Sequence, residues 1–173
     1  MQLRAATSAD IAAIQAIYAH HVLHGLASFE IEPPSAAEMH RRFESLTGDG
    51  YPYLVATVDG SIVGYAYAGA YRSRPAYRYT VEDSVYVAPA ATGRGTGRQL
   101  LSRLIDECER RGYRQMLAVI GDSANAASIE LHRGCGFTVS GTLRSVGLKF
   151  GRWIDSVIMQ RSLGESDRTV PRA

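Results

Sequence analysis

The chain has 173 residues, of which 46% are apolar and 21% are charged, so we expect one domain with its own core over residues 1–163. The net charge of +2 comes without a long Lys or Arg stripe, which argues against a nucleic-acid-binding protein. The sequence contains no run of roughly 18 apolar residues, so we expect neither a transmembrane helix nor a membrane partner. The opening residues lack the apolar segment of a signal peptide. Cys108 and Cys135 lie apart without CxxC spacing, so we expect buried or incidental thiols in a cytoplasmic protein.

The first part of the chain predicts an edge strand, two helices and a hairpin. Ile11, Ile14 and Ile17 recur at the spacing of one helix face. Asp59 and Gly60 separate two strand-like runs, which is a strong signal for a hairpin. The predicted elements are a strand at 2–5, a helix after residue 10, a helix from about 35 to 48, and strands at 53–58 and 62–68.

The rest of the chain alternates strands and helices before a second hairpin. Leu100, Leu101 and Leu104 form the apolar stripe of a helix that Gly112 can terminate. This order indicates an α/β or α+β fold with a partly antiparallel sheet. The predicted elements are strands at 80–88, 116–120, 137–148 and 152–161, a helix at 124–134, and a frayed tail at 164–173.

Three glycines, Gly93, Gly95 and Gly97, lie between a predicted strand and a predicted helix. Glycine lets a backbone approach a ligand closely and adopt positive φ. Amides at the helix start favour an anion, and Arg94 and Arg98 add charge-assisted hydrogen bonds for phosphate. Taken alone, the segment is equally compatible with a glycine-rich turn that carries solvated arginines.

The spacing of this loop excludes two common nucleotide motifs. A P-loop ends in GK[ST], whereas Gly97 is followed by Arg98 and Gln99. A dinucleotide fingerprint reads G-x-G-x-x-G, whereas this loop reads G-x-G-x-G.

The loop resembles the signature Q/R-x-x-G-x-G/A of the GNAT superfamily of CoA-dependent acetyltransferases. Thr92 stands where that family usually has Gln or Arg, which puts one side-chain contact with the cofactor in doubt. The chain is more closely similar to the phosphinothricin/methionine sulfone acetyltransferase branch, through four stretches that occur in the expected order. These stretches are ASFEIEP at 27–33, TVEDSVYV at 80–87, NAASIELHRGCGF at 125–137 and LKFGRW at 148–153.

The resemblance implies the GNAT fold, an α/β fold whose mixed, mostly antiparallel sheet is flanked by helices and splayed open beside residues 84–88. Acetyl-CoA is the implied cosubstrate, with its pantetheine along the open strand and its diphosphate on residues 93–98. Asn125 and Ser128 are expected at a second cofactor contact, where Asn125 is alternatively a helix N-cap. The implied cofactor-binding residues are Val85, Tyr86, Val87, Gly93, Arg94, Gly95, Thr96, Gly97, Arg98, Asn125 and Ser128.

Acetyl transfer to an amine needs a base, because an ammonium has no lone pair. By resemblance, Glu82 is that base, although an exposed glutamate or an ion-pair partner for an arginine is the alternative. A free N–H near Val85 or Tyr86 is expected to stabilise the oxyanion. His132 stands where many relatives have Tyr, and we expect it to protonate the thiolate, contact the sulfur or simply pack.

The implied acceptor is a small amino acid with an additional oxyanion or sulfone-like group. Arg72, Arg78, Phe29 and Lys149 match positions that face or border the acceptor in the resembling branch. A basic, solvated loop is the alternative for the arginines. A protein N-terminus, a polyamine or an aminoglycoside remains an alternative acceptor, and a non-catalytic CoA-binding sensor remains an alternative function.

Two further expectations concern metals and partners. His20, His21 and His24 lack the third ligand of a zinc motif, so no metal is expected. The resemblance also implies a homodimer with the pocket near the subunit boundary.

Overall fold

A computed structural model describes residues 1–171 as one seven-stranded sheet with helices on both faces. The strands follow the order β1-β2-β3-β4-β5-β7-β6 across the sheet. The strands are β1 (Gln2–Ala5), β2 (Tyr53–Val58), β3 (Ser61–Ala70), β4 (Thr80–Val87), β5 (Gln115–Gly121), β6 (Thr138–Lys149) and β7 (Arg152–Ser162). The helices are α1 (Ile11–His24), α2 (Ala36–Gly48), α3 (Thr96–Arg110) and α4 (Ala126–Gly134).

The predicted elements are all present, with bounds that differ by a few residues. The β2–β3 hairpin turns at Asp59 and Gly60, which both have positive φ, as a two-residue turn of type I′ requires. The Ser35 side chain accepts a hydrogen bond from the Glu38 amide and so caps α2. The predicted tail at 164–173 stays a prediction, and its residues 172–173 lie outside the described part of the chain.

Among the strands of residues 1–171, only β4 and β5 are parallel neighbours, and their pairing is short. It runs from Thr80 opposite Gln115 to Asp83 opposite Ala118, although both strands continue beyond this point. The two strands therefore diverge after Asp83 and leave a gap in the sheet. The mixed, mostly antiparallel sheet with an opening beside residues 84–88 is confirmed.

The two faces of the sheet carry separate cores. Leu100 and Leu104 of α3 pack on one face, and Ile14 of α1 and Phe43 of α2 pack on the other. Side chains alternate along a strand, so the positions of β4 divide between these cores. Val81, Asp83 and Val85 face α3 and α4, whereas Glu82, Ser84 and Tyr86 face α1 and α2.

Within residues 1–171, no helix combines the length and the apolar character that a membrane span needs.

Candidate cofactor and acceptor site

The gap between β4 and β5 exposes a row of backbone groups. The Tyr79 carbonyl accepts a hydrogen bond from the Gln115 amide, so Tyr79 points toward β5. Backbone groups of alternate strand residues point to the same edge, which places those of Val85 and Val87 in the gap. The Tyr86 amide points toward β3 instead, so only Val85 of the two expected oxyanion donors faces the gap.

His21 closes part of this edge in a way that the sequence did not reveal. Its Nε2 donates a hydrogen bond of 2.9 Å to the Val87 carbonyl. Burial lowers the pKa of His21 and so favours the neutral ring, in which the contact with the carbonyl places the proton on Nε2. The Val87 N–H and both backbone groups of Val85 are left facing the gap.

A cleft of ≈ 840 Å³ runs from the gap to the glycine loop. Every predicted cofactor residue except Arg94 lines this cleft. The cleft is also lined by residues that were not predicted to bind the cofactor, among them His21, Asp122, Phe150 and Arg152. A cleft of this size suits an extended cofactor, because ligand sites commonly enclose several hundred Å³.

The glycine loop forms an anion cradle at the start of α3. Gly93 has φ +72° and Gly95 has φ +79°, values that other residues adopt only with strain. The first hydrogen bond of the helix runs from the Gln99 amide to the Gly95 carbonyl, at 3.1 Å. The amides of residues 96–98 therefore have no intrahelical partner and are available to a phosphate. The residues present thus fit the diphosphate of acetyl-CoA.

Asn125 is a helix cap that also lines the cleft, and its contact with the cofactor stays a prediction. Its Oδ1 accepts a hydrogen bond of 3.2 Å from the Ser128 amide, which makes it the N-cap of α4. The same side chain lines the cleft, as does Ser128. Capping fixes the orientation of the Asn125 amide group before any ligand binds.

Glu82 is a half-buried carboxylate whose pKa is raised. Burial raises the pKa of Glu82, the neighbouring Asp83 raises it further, and Arg72 partly opposes both. Within residues 1–171, Glu82 forms no salt bridge, so the ion-pair alternative has no support in the structure. Glu82 does not line the cleft, and its side chain lies on the other face of β4, on the side of Tyr67.

His132 is buried at the point where β4 and β5 part. It is only 5% exposed and packs edge-on against Phe137. Its Nε2 lies 3.0 Å from Asp83 Oδ2, and its Nδ1 lies 2.7 Å from the Ser128 carbonyl. Burial acts to lower the pKa of His132, but the hydrogen bond and the charge of Asp83 outweigh it and raise the pKa. With Val85, this pair borders a small cavity of ≈ 50 Å³ at the closed end of the gap.

Phe29 and Lys149 belong to one group beside the cleft. The Lys149 ammonium donates a hydrogen bond of 2.7 Å to the Ser28 carbonyl and is 2% exposed. Burial lowers the pKa of Lys149. The ring of Phe29 lies directly over Gly147 of β6, where a side chain would overlap it. Lys149 thus holds the loop that carries Phe29 against the β6–β7 hairpin.

Arg72 and Arg78 belong to a second, exposed group on the loop between β3 and β4. The guanidinium of Arg72 lies 5.0 Å from the Tyr71 ring centre, and that of Arg78 lies 4.7 Å from the Tyr79 ring centre. Of these two arginines, only Arg72 affects the pKa of Glu82. Among the described residues, no hydrogen bond or ion pair joins either arginine to Phe29 or Lys149.

A cavity of ≈ 400 Å³ lies on the Glu82 face of the sheet, between α2 and strands β2 and β3. No local pattern predicts this cavity, because its residues come from four separate elements. Its lining residues include Tyr18, Tyr53, Tyr65, Tyr67 and Arg42.

His20, His21 and His24 lie at the end of α1, where the His20 ring contacts the His21 ring edge-on and the His24 ring at a tilt. Across residues 1–171, no three His, Cys, Asp or Glu side chains are grouped in a way that could hold a metal ion.

Comparison with known proteins identifies the family. Residues 3–158 match the model described as an acetyltransferase (GNAT) domain. Phosphinothricin N-acetyltransferase of Alcaligenes faecalis is 57% identical over 162 residues, which cover 94% of this chain and 82% of that protein. L-methionine sulfoximine/L-methionine sulfone acetyltransferase of Salmonella typhimurium is 48% identical, with coverage of 95% and 96%.

A solved structure agrees with these relatives. The phosphinothricin acetyltransferase of Sinorhizobium meliloti in complex with AcCoA superposes with a TM-score of 0.96 at 50% identity, covering 99% of this chain and 92% of that one. The chain therefore belongs to the GNAT acetyltransferase family. It is an N-acetyltransferase that uses acetyl-CoA.

Proposed function

We propose that the chain transfers the acetyl group of acetyl-CoA directly to the α-amino group of a small amino-acid-like acceptor. The acceptor class is that named for its relatives, which act on phosphinothricin, methionine sulfone or methionine sulfoximine. The observation that carries the proposal is Glu82, a half-buried carboxylate on the strand that borders the cofactor cleft, which has no ion pair within residues 1–171.

Glu82 is the proposed general base. An α-amino group with a pKa of roughly 8 is mostly protonated at neutral pH and cannot attack a thioester in that form. Glu82 removes a proton from the acceptor nitrogen, directly or through one water molecule. The raised pKa of Glu82 brings the base closer to the operating pH, which improves its efficiency.

The other groups of the chain position the reactants and stabilise charge. The amides of residues 96–98 bind the diphosphate, and the backbone of Val85 aligns the pantetheine along β4. The Val85 N–H then points at the carbonyl oxygen that becomes negatively charged. His132 supports the departing thiolate from the closed end of the gap. A thiol with a pKa of roughly 8.5 leaves readily, so the base matters more than the acid.

The acceptor is proposed to bind between the group of Phe29 and Lys149 and the group of Arg72 and Arg78. Arg72 carries a positive charge close enough to Glu82 to affect its pKa, and it suits the carboxylate or phosphinate of an amino acid analogue. Arg78 lies on the same loop, and Phe29 and Lys149 border the opposite side. Clustered arginines disfavour polyamines and aminoglycosides, because those acceptors are cations.

A homodimer is also proposed, formed through the β6–β7 hairpin. Apolar side chains that are at least half exposed cluster there, which is unusual unless another surface covers them. The same hairpin supplies Phe150 and Arg152 to the cleft and Lys149 to the acceptor loop, so a partner would lie beside the site. The exposed residues are Val139, Leu143, Val146, Leu148, Phe150 and Trp153.

The oligomer is tested by light scattering coupled to gel filtration. Leu143→Lys places a charge within the apolar cluster, and Thr142→Lys places the same charge on the adjacent exposed residue. We expect wild type and Thr142→Lys to have the mass of two chains and Leu143→Lys that of one. A monomeric wild type would contradict the dimer but leave the catalytic proposal intact.

The function is tested by the release of free CoA thiol from acetyl-CoA. The acceptors are phosphinothricin, methionine sulfone, methionine sulfoximine, an aminoglycoside, a polyamine and a peptide with a free N-terminus. We expect turnover with the first three. Turnover with peptides alone would refute the acceptor class, and an absence of turnover with bound acetyl-CoA would indicate a CoA-binding sensor.

A cytoplasmic location stays a prediction, consistent with two buried cysteines that are both free.

A further inference from the structure

Asp83 is a buried carboxylate without a role in the mechanism proposed so far. It is 6% exposed and is the last β4 residue that pairs with β5 before the strands diverge. One oxygen, Oδ2, is hydrogen-bonded to His132, and the other, Oδ1, is buried without a partner among the described residues. A buried charge without compensation is costly, so its single contact with His132 is what makes the arrangement tolerable.

The contacts of the His132 ring define how many protons it carries. The Ser128 carbonyl can only accept a hydrogen bond, so Nδ1 at 2.7 Å must be protonated. An ionised Asp83 can also only accept, so Nε2 at 3.0 Å must be protonated as well. Two acceptors on opposite sides of one imidazole, the Ser128 carbonyl and an ionised Asp83, therefore require the imidazolium form.

We propose that Asp83 is a positioning residue that holds His132 as an imidazolium at the closed end of the gap between β4 and β5. The inference rests on the proposed function for its catalytic consequence. A fixed positive charge beside Val85 favours the departing thiolate, because the charge is in place before the reaction begins. The pair also ties α4 to β4 at the residue where the gap starts.

Asp83 determines the charge of His132, because the other elements around the ring place no charged side chain beside it within residues 1–171. On α3, the Cys108 thiol is neutral, since burial raises its pKa to about 12. Glu82 adjoins Asp83 in the chain but points to the opposite face of the sheet. Strand β5 contributes only apolar side chains and backbone to the small cavity. The pKa of His132 is raised, in agreement with the geometry.

The experiment is nitrogen NMR of the intact protein with labelled histidine, titrated from acidic to alkaline pH. His132→Gln identifies the His132 signals among those of the other four histidines. In the wild type, we expect both ring nitrogens of His132 to remain protonated above the pH where an ordinary histidine is neutral. Asp83→Asn keeps the shape of the side chain and can donate to a neutral ring, so we expect the His132 titration to move to lower pH. Asp106→Asn, an exposed aspartate of α3, is the matched control and leaves the titration unchanged.

Kinetics provide the functional readout. We expect Asp83→Asn to lower kcat by roughly tenfold to 10²-fold at alkaline pH, with the KM for acetyl-CoA within about twofold of wild type. A wild-type His132 with an unprotonated Nε2 at neutral pH would overturn the proposal, as would an unchanged titration in Asp83→Asn. If Asp83→Asn does not fold, the wild-type titration alone decides. If no acceptor is turned over, the proposed function fails while the NMR result on the Asp83–His132 pair stands.

Discussion

Replacement of Glu82 by Gln is the sharpest perturbation of the proposed chemistry. The change removes the carboxylate charge and keeps the size of the side chain. Because Glu82 has no salt bridge within residues 1–171, no ion pair is broken and the free energy of unfolding should change little. The effect should therefore appear in the rate. A positioned general base contributes about 10²–10⁴-fold, so we expect kcat to fall by at least about 10²-fold at neutral pH.

The pH dependence of this variant separates a base from a structural glutamate. An α-amine with a pKa of roughly 8 is only about one-tenth neutral at pH 7 and mostly neutral at pH 9. A variant without the base depends on that neutral fraction, so its deficit should shrink as the pH rises. In the wild type, Glu82 must be ionised to act as a base, so activity is lost as the pH is lowered through its pKa. Because that pKa is raised, the loss should begin at a higher pH than it would with an ordinary glutamate.

The assay is steady-state thiol release with the best acceptor, combined with calorimetric binding of acetyl-CoA. Glu44→Gln, an exposed glutamate of α2, is the control and should behave as wild type. A Glu82→Gln enzyme with kcat within about twofold of wild type at neutral pH would refute the role of the base. A comparable loss of acetyl-CoA affinity would show instead that Glu82 supports the fold of the cleft.

Two further variants test the acceptor site. Gly147→Ala adds a methyl group where the Phe29 ring lies, so we expect the KM for the acceptor to rise on the order of tenfold, about 1.4 kcal/mol, with acetyl-CoA binding retained. Gly141→Ala on the same strand is the control, because its added methyl group has no atom of the described residues within 4 Å beyond its chain neighbours. Equal kinetics for the two variants would contradict a role for Phe29. Arg72→Gln removes a charge that lowers the pKa of Glu82, so the acid limb of the kcat/KM profile should move to higher pH. An unshifted limb would exclude electrostatic contact between the two residues.

Local patterns in the sequence were sufficient for the elements themselves. Turn chemistry at Asp59 and Gly60 defined the first hairpin, and the helical spacing of Ile11, Ile14 and Ile17 defined α1. These signals operate over a few residues, so they survive without knowledge of the rest of the fold. The strand order, with β7 between β5 and β6, has no such local signal, and the opening in the sheet was expected only through family resemblance.

The glycine loop had a local signal in the sequence, although a solvated glycine-rich turn was equally compatible with it. Gly93 and Gly95 adopt the positive φ that an anion-binding loop at a helix start needs. Asn125 likewise has a local signal, since it caps the helix that it opens. The capping role and the position in the cleft are both present, so the two interpretations of Asn125 are compatible.

The contacts that tune the site were not predictable, because they join residues far apart in the chain. His132 meets Asp83 from 49 positions away, and Lys149 reaches the Ser28 carbonyl from 121 positions away. Each pair depends on how a helix or a hairpin packs on the sheet. Alternation along β4 could have placed Asp83 on the opposite face from Glu82, but not beside a histidine of α4.

A crystal structure of the protein with acetyl-CoA tests the central claim most directly. The account predicts that the diphosphate accepts hydrogen bonds from the amides of residues 96–98 and that the thioester lies in the gap beside Val85. It further predicts that the loop keeps the positive φ of Gly93 and Gly95. A coenzyme bound outside the cleft, with those amides contacting only solvent or protein, would contradict the account.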